Sequence, residues 1–289
     1  MASLFAALLS ANGIKVKMLG SWKENVNALN ENGVHFIDQN GNESIFRVEA
    51  FDDPEKCKGS QFAIVLVKSY QTSKAAILLD RCLRADGVVL TLQNGLGNYE
   101  ILASKLGSER VVSGVTTMGA TSIGPGIVRL GGAGVISIGD HARIKFPVMI
   151  LRQAGLEVEV VEDTDSLVWG KLVINASINP LTAILEVKNG VLLENPNSVE
   201  IMNMVANESA NVAVRNGVKL PYEDPVLMVQ SVAYKTAANY SSMYIDVQRG
   251  GLTEIDAING AIVKIGEEIG AAIENNRLLW KLVKAMTEN

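Results

Sequence analysis

The chain predicts an α/β first domain followed by an all-helical second domain, and three observations carry that prediction. Before Asp165, short apolar runs bounded by polar or glycine residues recur, as they do in buried parallel strands. Between two of these runs, Phe62-Ala63-Ile64-Val65-Leu66-Val67 and Val88-Val89-Leu90-Thr91-Leu92, the apolar residues of Ser73 to Leu83 repeat at helical spacing and stop at Asp86-Gly87. That is a strand, helix, strand unit. After Asp165 glycines thin out and long periodic stretches take over, so a boundary falls near Glu162 to Asp165, with domains at 1–164 and 165–289.

In chain order, Met1-Ala2-Ser3-Leu4-Phe5-Ala6-Ala7-Leu8-Leu9 reads as a buried helix; it has no basic leader and so does not read as a secretion signal. Ile14 to Leu19 alternates apolar and polar residues and reads as a strand, as does Val111 to Thr117. Gly126 to Leu130 and Val135 to Ile138, set among glycines, predict a hairpin. Leu156-Glu157-Val158-Glu159-Val160-Val161 alternates as a half-buried strand should. Helices are expected over 166–187, 198–216, 224–249 and 252–271. No internal repeat or low-complexity segment is evident.

Composition narrows the class of function. The 289 residues suit about two domains and a sizeable core. A net charge of −5 and a pI near 5.3 give no electrostatic footprint for nucleic acid. Hydrophobic residues make up 48%, yet no uninterrupted apolar run approaches the ~20 residues that span a bilayer, so no membrane segment is expected. Cys57 and Cys82 are too few for a disulfide framework and lack metal-ligand spacing; they read as reduced thiols of a cytoplasmic protein. His35 and His141 stand apart with no cysteine near them, so neither a metal site nor a catalytic triad is expected.

The strongest chemical signal is Trp169-Gly170-Lys171-Leu172-Val173-Ile174-Asn175-Ala176-Ser177-Ile178-Asn179-Pro180. Steps of four residues turn a helix by only about 40° from register, so Lys171, Asn175 and Asn179 share one face of an otherwise apolar cylinder. A lysine in a desolvated pocket moves toward the pKa range in which it gives up a proton readily. The competing reading is a lysine snorkelling from a core helix, with two asparagines bonded to nearby backbone. At the ends of two apolar runs stand Lys68 and Asn94, the latter in Gln93-Asn94-Gly95-Leu96-Gly97. Ligands of open parallel sheets bind beyond such strand ends, although Asn-Gly is also ordinary turn chemistry.

A second polar cluster reads Asn239-Tyr240-Ser241-Ser242-Met243-Tyr244-Ile245-Asp246, then Thr253-Glu254-Ile255-Asp256-Ala257-Ile258-Asn259-Gly260. With the lysine and asparagine stretch, this resembles the substrate-domain signature of the ketopantoate reductases, and the similarity covers nearly the whole chain. The resemblance implies a Rossmann-type NAD(P)-binding domain, a helical substrate domain, and reduction of 2-dehydropantoate to pantoate on the route to coenzyme A. It implies Lys171 as proton donor. Asn94, Asn175, Asn179, Asn189 and Ser242 follow as substrate contacts, the alternative reading of Asn189 in Lys188-Asn189-Gly190 being a turn residue, and Lys68, Asn94, Ala120 and Glu254 as cofactor contacts. Glu254 also orients Lys171 or a substrate hydroxyl, its alternative reading being a helix-surface charge. Asp246 supports these groups through hydrogen bonding. A small-molecule substrate is the implied partner, and the resemblance allows a homodimer.

The sequence departs from the family pattern in two places. A dinucleotide fold opens with a strand and a G-x-G-x-x-G turn that sets a pyrophosphate against a helix N-terminus. This chain contains no such turn, and about ten residues of the pattern are absent before Met1, with Ala2 at the third glycine position. A start codon assigned too late and a genuinely shortened protein with impaired cofactor binding both remain open, as does a catalytically silent binding protein in the second case. The family's usual arginine for the 2′-phosphate of NADP is replaced here by Ser21, with Lys23 two residues on. No acidic residue stands squarely at the ribose position expected for NAD, so NADPH is the expected cofactor with NAD not excluded. Another reductase of the same group, acting on a different small 2-oxo or 3-hydroxy acid, is the nearest alternative.

Overall fold

The apolar runs at Phe62 to Val67 and Val88 to Leu92 pair as parallel neighbours in the computed structural model, which describes residues 1–288. The chain divides into two units: 1–67, 71–93 and 98–164 form the first, while 68–70, 94–97 and 165–289 form the second. Two short loops of the first half thus group with the C-terminal helices.

The first unit is α/β. Its elements are α1 (Ala2–Ala11), β1 (Lys17–Leu19), α2 (Lys23–Asn32), β2 (Val34–Ile37), β3 (Glu43–Phe46), β4 (Glu49–Phe51) and β5 (Ser60–Val65). There follow α3 (Thr72–Cys82), β6 (Leu83–Thr91), α4 (Asn98–Leu106), β7 (Val111–Thr116), β8 (Gly119–Gly124), β9 (Ile127–Gly132), β10 (Val135–Gly139), α5 (Lys145–Gln153) and β11 (Glu157–Val161). The main sheet runs β11-β10-β7-β6-β5, with β5, β6 and β7 parallel and β10 antiparallel to β7. Its core is built from Phe5, Leu90, Ile136, Ile138 and Leu151, all nearly fully buried. Each such side chain contributes about 1.5–3 kcal/mol of burial.

The expected hairpin of Gly126 to Leu130 with Val135 to Ile138 does not form, although both segments are strands. β9 turns back instead on β8, through Pro125 and Gly126, whose φ of 72° suits glycine. The run Gly131-Gly132-Ala133-Gly134 then carries the chain out of the β3-β2-β9-β8 sheet, and β10 joins β7 and β11. Among the described residues β1 pairs only with β4, and β5 only with β6. A cavity of about 720 Å³ is lined by Ile14 to Leu19, by β5 and by α1.

The second unit is helical. It comprises α6 (Thr164–Leu185, whose first residue belongs to the first unit), α7 (Pro196–Arg215), α8 (Pro225–Lys235), α9 (Ser242–Gln248), α10 (Ala261–Ile269) and α11 (Glu274–Thr287). α7 and α8 start with proline at the first helical position behind caps Asn195 and Asp224, whose side chains accept from Asn197 N and Leu227 N. The expected helix over 224–249 is two. Ser241, in extended backbone, caps a new helix by accepting from Tyr244 N at 3.0 Å. The expected 252–271 helix is also altered: a π-turn at Asp256–Gly260 precedes α10, and Gly270, in the left-handed region, ends it.

α6 is long and apolar enough to cross a membrane by length and composition, but 67% of that stretch is buried inside the protein. Its Leu172, Val173 and Ala176 meet Met202, Val205, Ile258 and Val283 in the core of this unit, which accounts for the apolar composition.

Candidate active site

Lys171 lies about two turns into the long helix α6, and its surroundings explain its acidity. The helix is approached closely at Gly170, where an added Cβ would strike the ring of Pro221, and Tyr222 Oη donates to the Gly170 carbonyl at 2.9 Å. Burial pulls the Lys171 ammonium from 10.5 down to about 8, while the negative charge of Glu254 pulls it back upward. Asn175 is partly exposed and Asn179 is 8% exposed. All three lie on α6 at the four-residue spacing that sets them on one face.

Glu254 is the hub of this cluster. It precedes the π-turn and is only 5% exposed, so its charge needs partners. They come from the two loops that group with the helical unit. Ser69 N donates to Oε1 at 3.0 Å, Asn94 Nδ2 donates to Oε2 at 3.2 Å, and Lys68 Nζ stands 3.9 Å from Oε2. The same ammonium donates to Asp246 Oδ2 at 2.5 Å, which ties it to α9. The Asn94 loop is seated by Leu96 N donating to the Ala257 carbonyl at 2.9 Å. Gly95 permits this because its φ is 83° and an added Cβ would collide with Ala257.

The remaining expected residues divide into those near this cluster and those elsewhere. Ser242 is the exposed first residue of α9, while its neighbour Ser241 is buried, caps that helix and bonds Thr182 Oγ1 at 2.7 Å. Asn189 is 8% exposed; its Nδ2 donates to Thr236 Oγ1 at 2.9 Å, and its Oδ1 is buried with no hydrogen-bond partner among the described residues. That orphan acceptor sits in the loop ahead of α7, held by Asn189 N donating to Asn239 O. Ala120 lies in the first unit on β8, opposite Leu130. Ser21 and Lys23 are exposed at the carboxyl end of β1.

Two parts of the cluster went unread in the sequence, and a third was read only in part. The backbone amide of Ser69 carries no side-chain signal. The seat that Ala257 offers to Gly95 depends on a fold contact across the chain. The bond between Lys68 and Asp246 was half visible, since Asp246 is four residues past Ser242 on one helical face. Among the described residues no His, Cys, Asp and Glu group could hold a metal ion. Cys57 and Cys82 are free and buried, and burial raises both thiols, Cys82 to about 11.

Two family models match, "Ketopantoate reductase PanE/ApbA" over residues 1–143 and "Ketopantoate reductase PanE/ApbA C terminal" over residues 163–287. A 2-dehydropantoate 2-reductase of Halobacterium salinarum is 33% identical over 290 residues, covering 98% of this chain and 95% of the relative. One from Archaeoglobus fulgidus is 40% identical over 232 residues, covering 78% and 76%. Among solved structures, a PanE/ApbA family ketopantoate reductase from Ralstonia eutropha JMP134 superposes with a TM-score of 0.92 at 30% identity, covering 98% of this chain and 94% of that one. D-mandelate dehydrogenase in a ternary structure with NADH and anilino(oxo)acetate gives 0.94 at 27% identity, covering 100% and 95%.

Proposed function

The chain belongs to the ketopantoate reductase family and is an oxidoreductase, and from that premise we propose that it reduces the ketone of 2-dehydropantoate to the alcohol of pantoate, using NADPH, in the biosynthesis of pantothenate and coenzyme A. The observation that carries the reading is a lysine whose pKa of about 8 is set by burial against the charge of Glu254, with Glu254 held by Ser69 and Asn94. A group with that pKa is protonated at neutral pH yet gives up its proton readily, which suits a general acid.

A bound nicotinamide dinucleotide supplies the hydride to the carbonyl carbon. As the carbonyl electron pair moves onto oxygen, the Lys171 ammonium stabilises the developing charge and donates its proton to that oxygen. The alcohol results, and the neutral amine regains a proton from water. Glu254 keeps the lysine charged and placed. Asn175, Asn179 and Ser242 hold the carboxylate and hydroxyl of the substrate, Asn94 aligns the ketone, and Asn189 adds a further substrate contact.

The residues present fit a dinucleotide. Gly20, Ser21 and Lys23 beyond β1, Leu66 and Val67 beyond β5, and Ala2 at the start of α1 lie at strand ends and a helix N-terminus. Among the described residues no side chain caps the first turn of α1, and a helix N-terminus of that kind favours a phosphate. Lys68 adds a cation at the same strand end. Ser21 and Lys23 favour the 2′-phosphate of NADPH over NADH.

The likeness to D-mandelate dehydrogenase favours a second reading, a reductase of another small 2-oxo acid. Steady-state turnover with NADPH and 2-dehydropantoate, set beside a 2-oxo acid lacking the hydroxyl, separates the two. A kcat/KM higher for 2-dehydropantoate is expected, and the reverse order favours the second reading. Replacing Lys171 with alanine should lower turnover at least ~10²-fold with cofactor affinity kept, and near-normal turnover would remove it from the chemistry.

A further inference from the structure

Pro180 creates a problem inside α6 that another helix solves. Proline has no N–H, so the carbonyl four residues before it, that of Ala176, lacks its ordinary helical donor. Asn259, the fourth residue of the π-turn, fills that place: its Nδ2 donates to Ala176 O at 3.1 Å and to Asn276 Oδ1 at 2.9 Å. Asn276 is anchored in turn, donating to Glu208 Oε1 at 2.8 Å and to Ser209 Oγ at 3.0 Å. Asn259, Asn276 and Ser209 are fully buried.

The tether has a place in the sequence that gives it a purpose. Ala176 follows Lys171 by five residues, and Asn259 follows Glu254 by five. One hydrogen bond therefore joins the helix that carries the ammonium to the segment that carries its carboxylate. Asn259 occupies this place although its Oδ1 is buried with no hydrogen-bond partner among the described residues. Such an acceptor carries a desolvation cost that an apolar side chain would avoid. A π-turn at this point fits the same purpose, since the extra residue per turn re-aims side chains and is often found at functional sites.

We propose that Asn259 is a positioning residue, fixing Lys171 in register with Glu254 by donating to the carbonyl that Pro180 leaves open; its role in turnover rests on the reductase reading, while the tether itself does not. Asn259 touches neither substrate nor reacting atoms and acts through α6.

The test uses the whole protein with Asn259→Leu. Lysine ammonium titration followed by NMR on 15N-lysine-labelled protein, assigned with Lys171→Met, reads the register without any substrate. Lys68, Asp246 and Glu254, the other charged groups of the cluster, are present in every variant read. Loosening the register weakens the upward pull of Glu254, so the Lys171 pKa should fall by roughly half a unit or more. Turnover should fall roughly tenfold to a hundredfold with the KM for the dinucleotide unchanged. An unchanged Lys171 titration overturns the proposal.

A second variant separates position from stability, and it also serves if the first does not fold. Asn259→Leu combined with Pro180→Ala restores a backbone N–H at position 180, which satisfies the Ala176 carbonyl within the helix. The expected result is recovered thermal stability with Lys171 still titrating low. Recovery of the titration as well would show that Asn259 merely satisfies an acceptor, and the proposal would fall. Failure of the unmodified protein to reduce 2-dehydropantoate would sink the substrate reading, leaving the titration to decide on the tether.

Discussion

Asn94 Nδ2 donates to Glu254 Oε2 at 3.2 Å across 160 positions of sequence. The bond joins a turn that follows a strand to the segment ahead of a π-turn, and Ser69 N joins the same carboxylate from a second such turn. The two donors hold the Glu254 carboxylate in place, and its charge acts on Lys171, whose pKa it raises against the pull of burial.

That charge should be visible in the pH dependence of turnover. A general acid works protonated, so the rate falls as pH rises through its pKa, about 8 for Lys171. Glu254 raises that value, so Glu254→Gln should move the alkaline limb to lower pH. Lys68 keeps its closer partner Asp246 in the variant. A limb that stays in place would mean that Lys171 is not the titrating acid or that Glu254 does not govern it.

Gly95→Ala tests how far the Asn94 turn depends on its seat. The backbone at φ 83° carries a cost of about 1–3 kcal/mol for a residue with a side chain. The new Cβ also meets the Ala257 carbonyl, which is part of a backbone hydrogen bond and cannot swing away. Thermal unfolding should come at lower temperature, and kcat/KM should drop roughly tenfold as Asn94 is displaced. Wild-type kinetics at normal stability would show the turn to be a passive connection.

The parts of this site that depend on local spacing were legible from residues alone. Lys171, Asn175 and Asn179 sit at helical repeats on α6, and Phe62 to Val67 and Val88 to Leu92 form buried strands because their apolar runs allow little else. What depends on meeting across the chain was not. Nothing near Ser241 marks it rather than Ser242 as the helix cap, because either hydroxyl can serve and only the backbone turn decides. Glu254 reads as a surface charge or a site residue until Ser69 and Asn94 are brought to it. The glycines at 126, 131, 132 and 134 signalled a reversal, but partner choice between β8 and β10 rests on which sheet each strand enters. The demand made by Pro180 was legible, since the missing N–H is written in the sequence; its answer, Asn259, was not.

Lys171 should also cost the protein stability, with a definite sign. The unfolded lysine keeps its proton to about pH 10.4, whereas in the folded protein it lets go near 8. Between those values the unfolded chain binds more protons, so this group makes stability rise with pH there. Below pH 8 the folded state carries the full penalty of a charged, desolvated ammonium. Lys171→Met should therefore unfold at higher temperature than the parent at pH 7, with the gap closing toward pH 10, while turnover is lost. Chemical denaturation at the two pH values measures this, and a destabilised methionine variant at pH 7 would show that the ammonium is a net stabilising partner of Glu254.

In the first unit β1 and β5 each have, among the described residues, a single paired neighbour, and both line the cavity of about 720 Å³. Strands paired on one side offer backbone donors and acceptors to a further strand. The lining from Phe5, Ile14, Val16, Ile64 and Leu66 is apolar, as a buried strand requires. A segment of about five apolar residues, fused ahead of Met1 through a glycine-rich turn, should pair there, and the turn amides together with the first turn of α1 should cradle a pyrophosphate. The fused protein should unfold at higher temperature and bind NADPH more tightly, as followed by calorimetry after cooperative unfolding has been verified for both forms. Equal dissociation constants would mean that the dinucleotide is held by Lys68 and the strand ends alone, with no contribution from a phosphate turn.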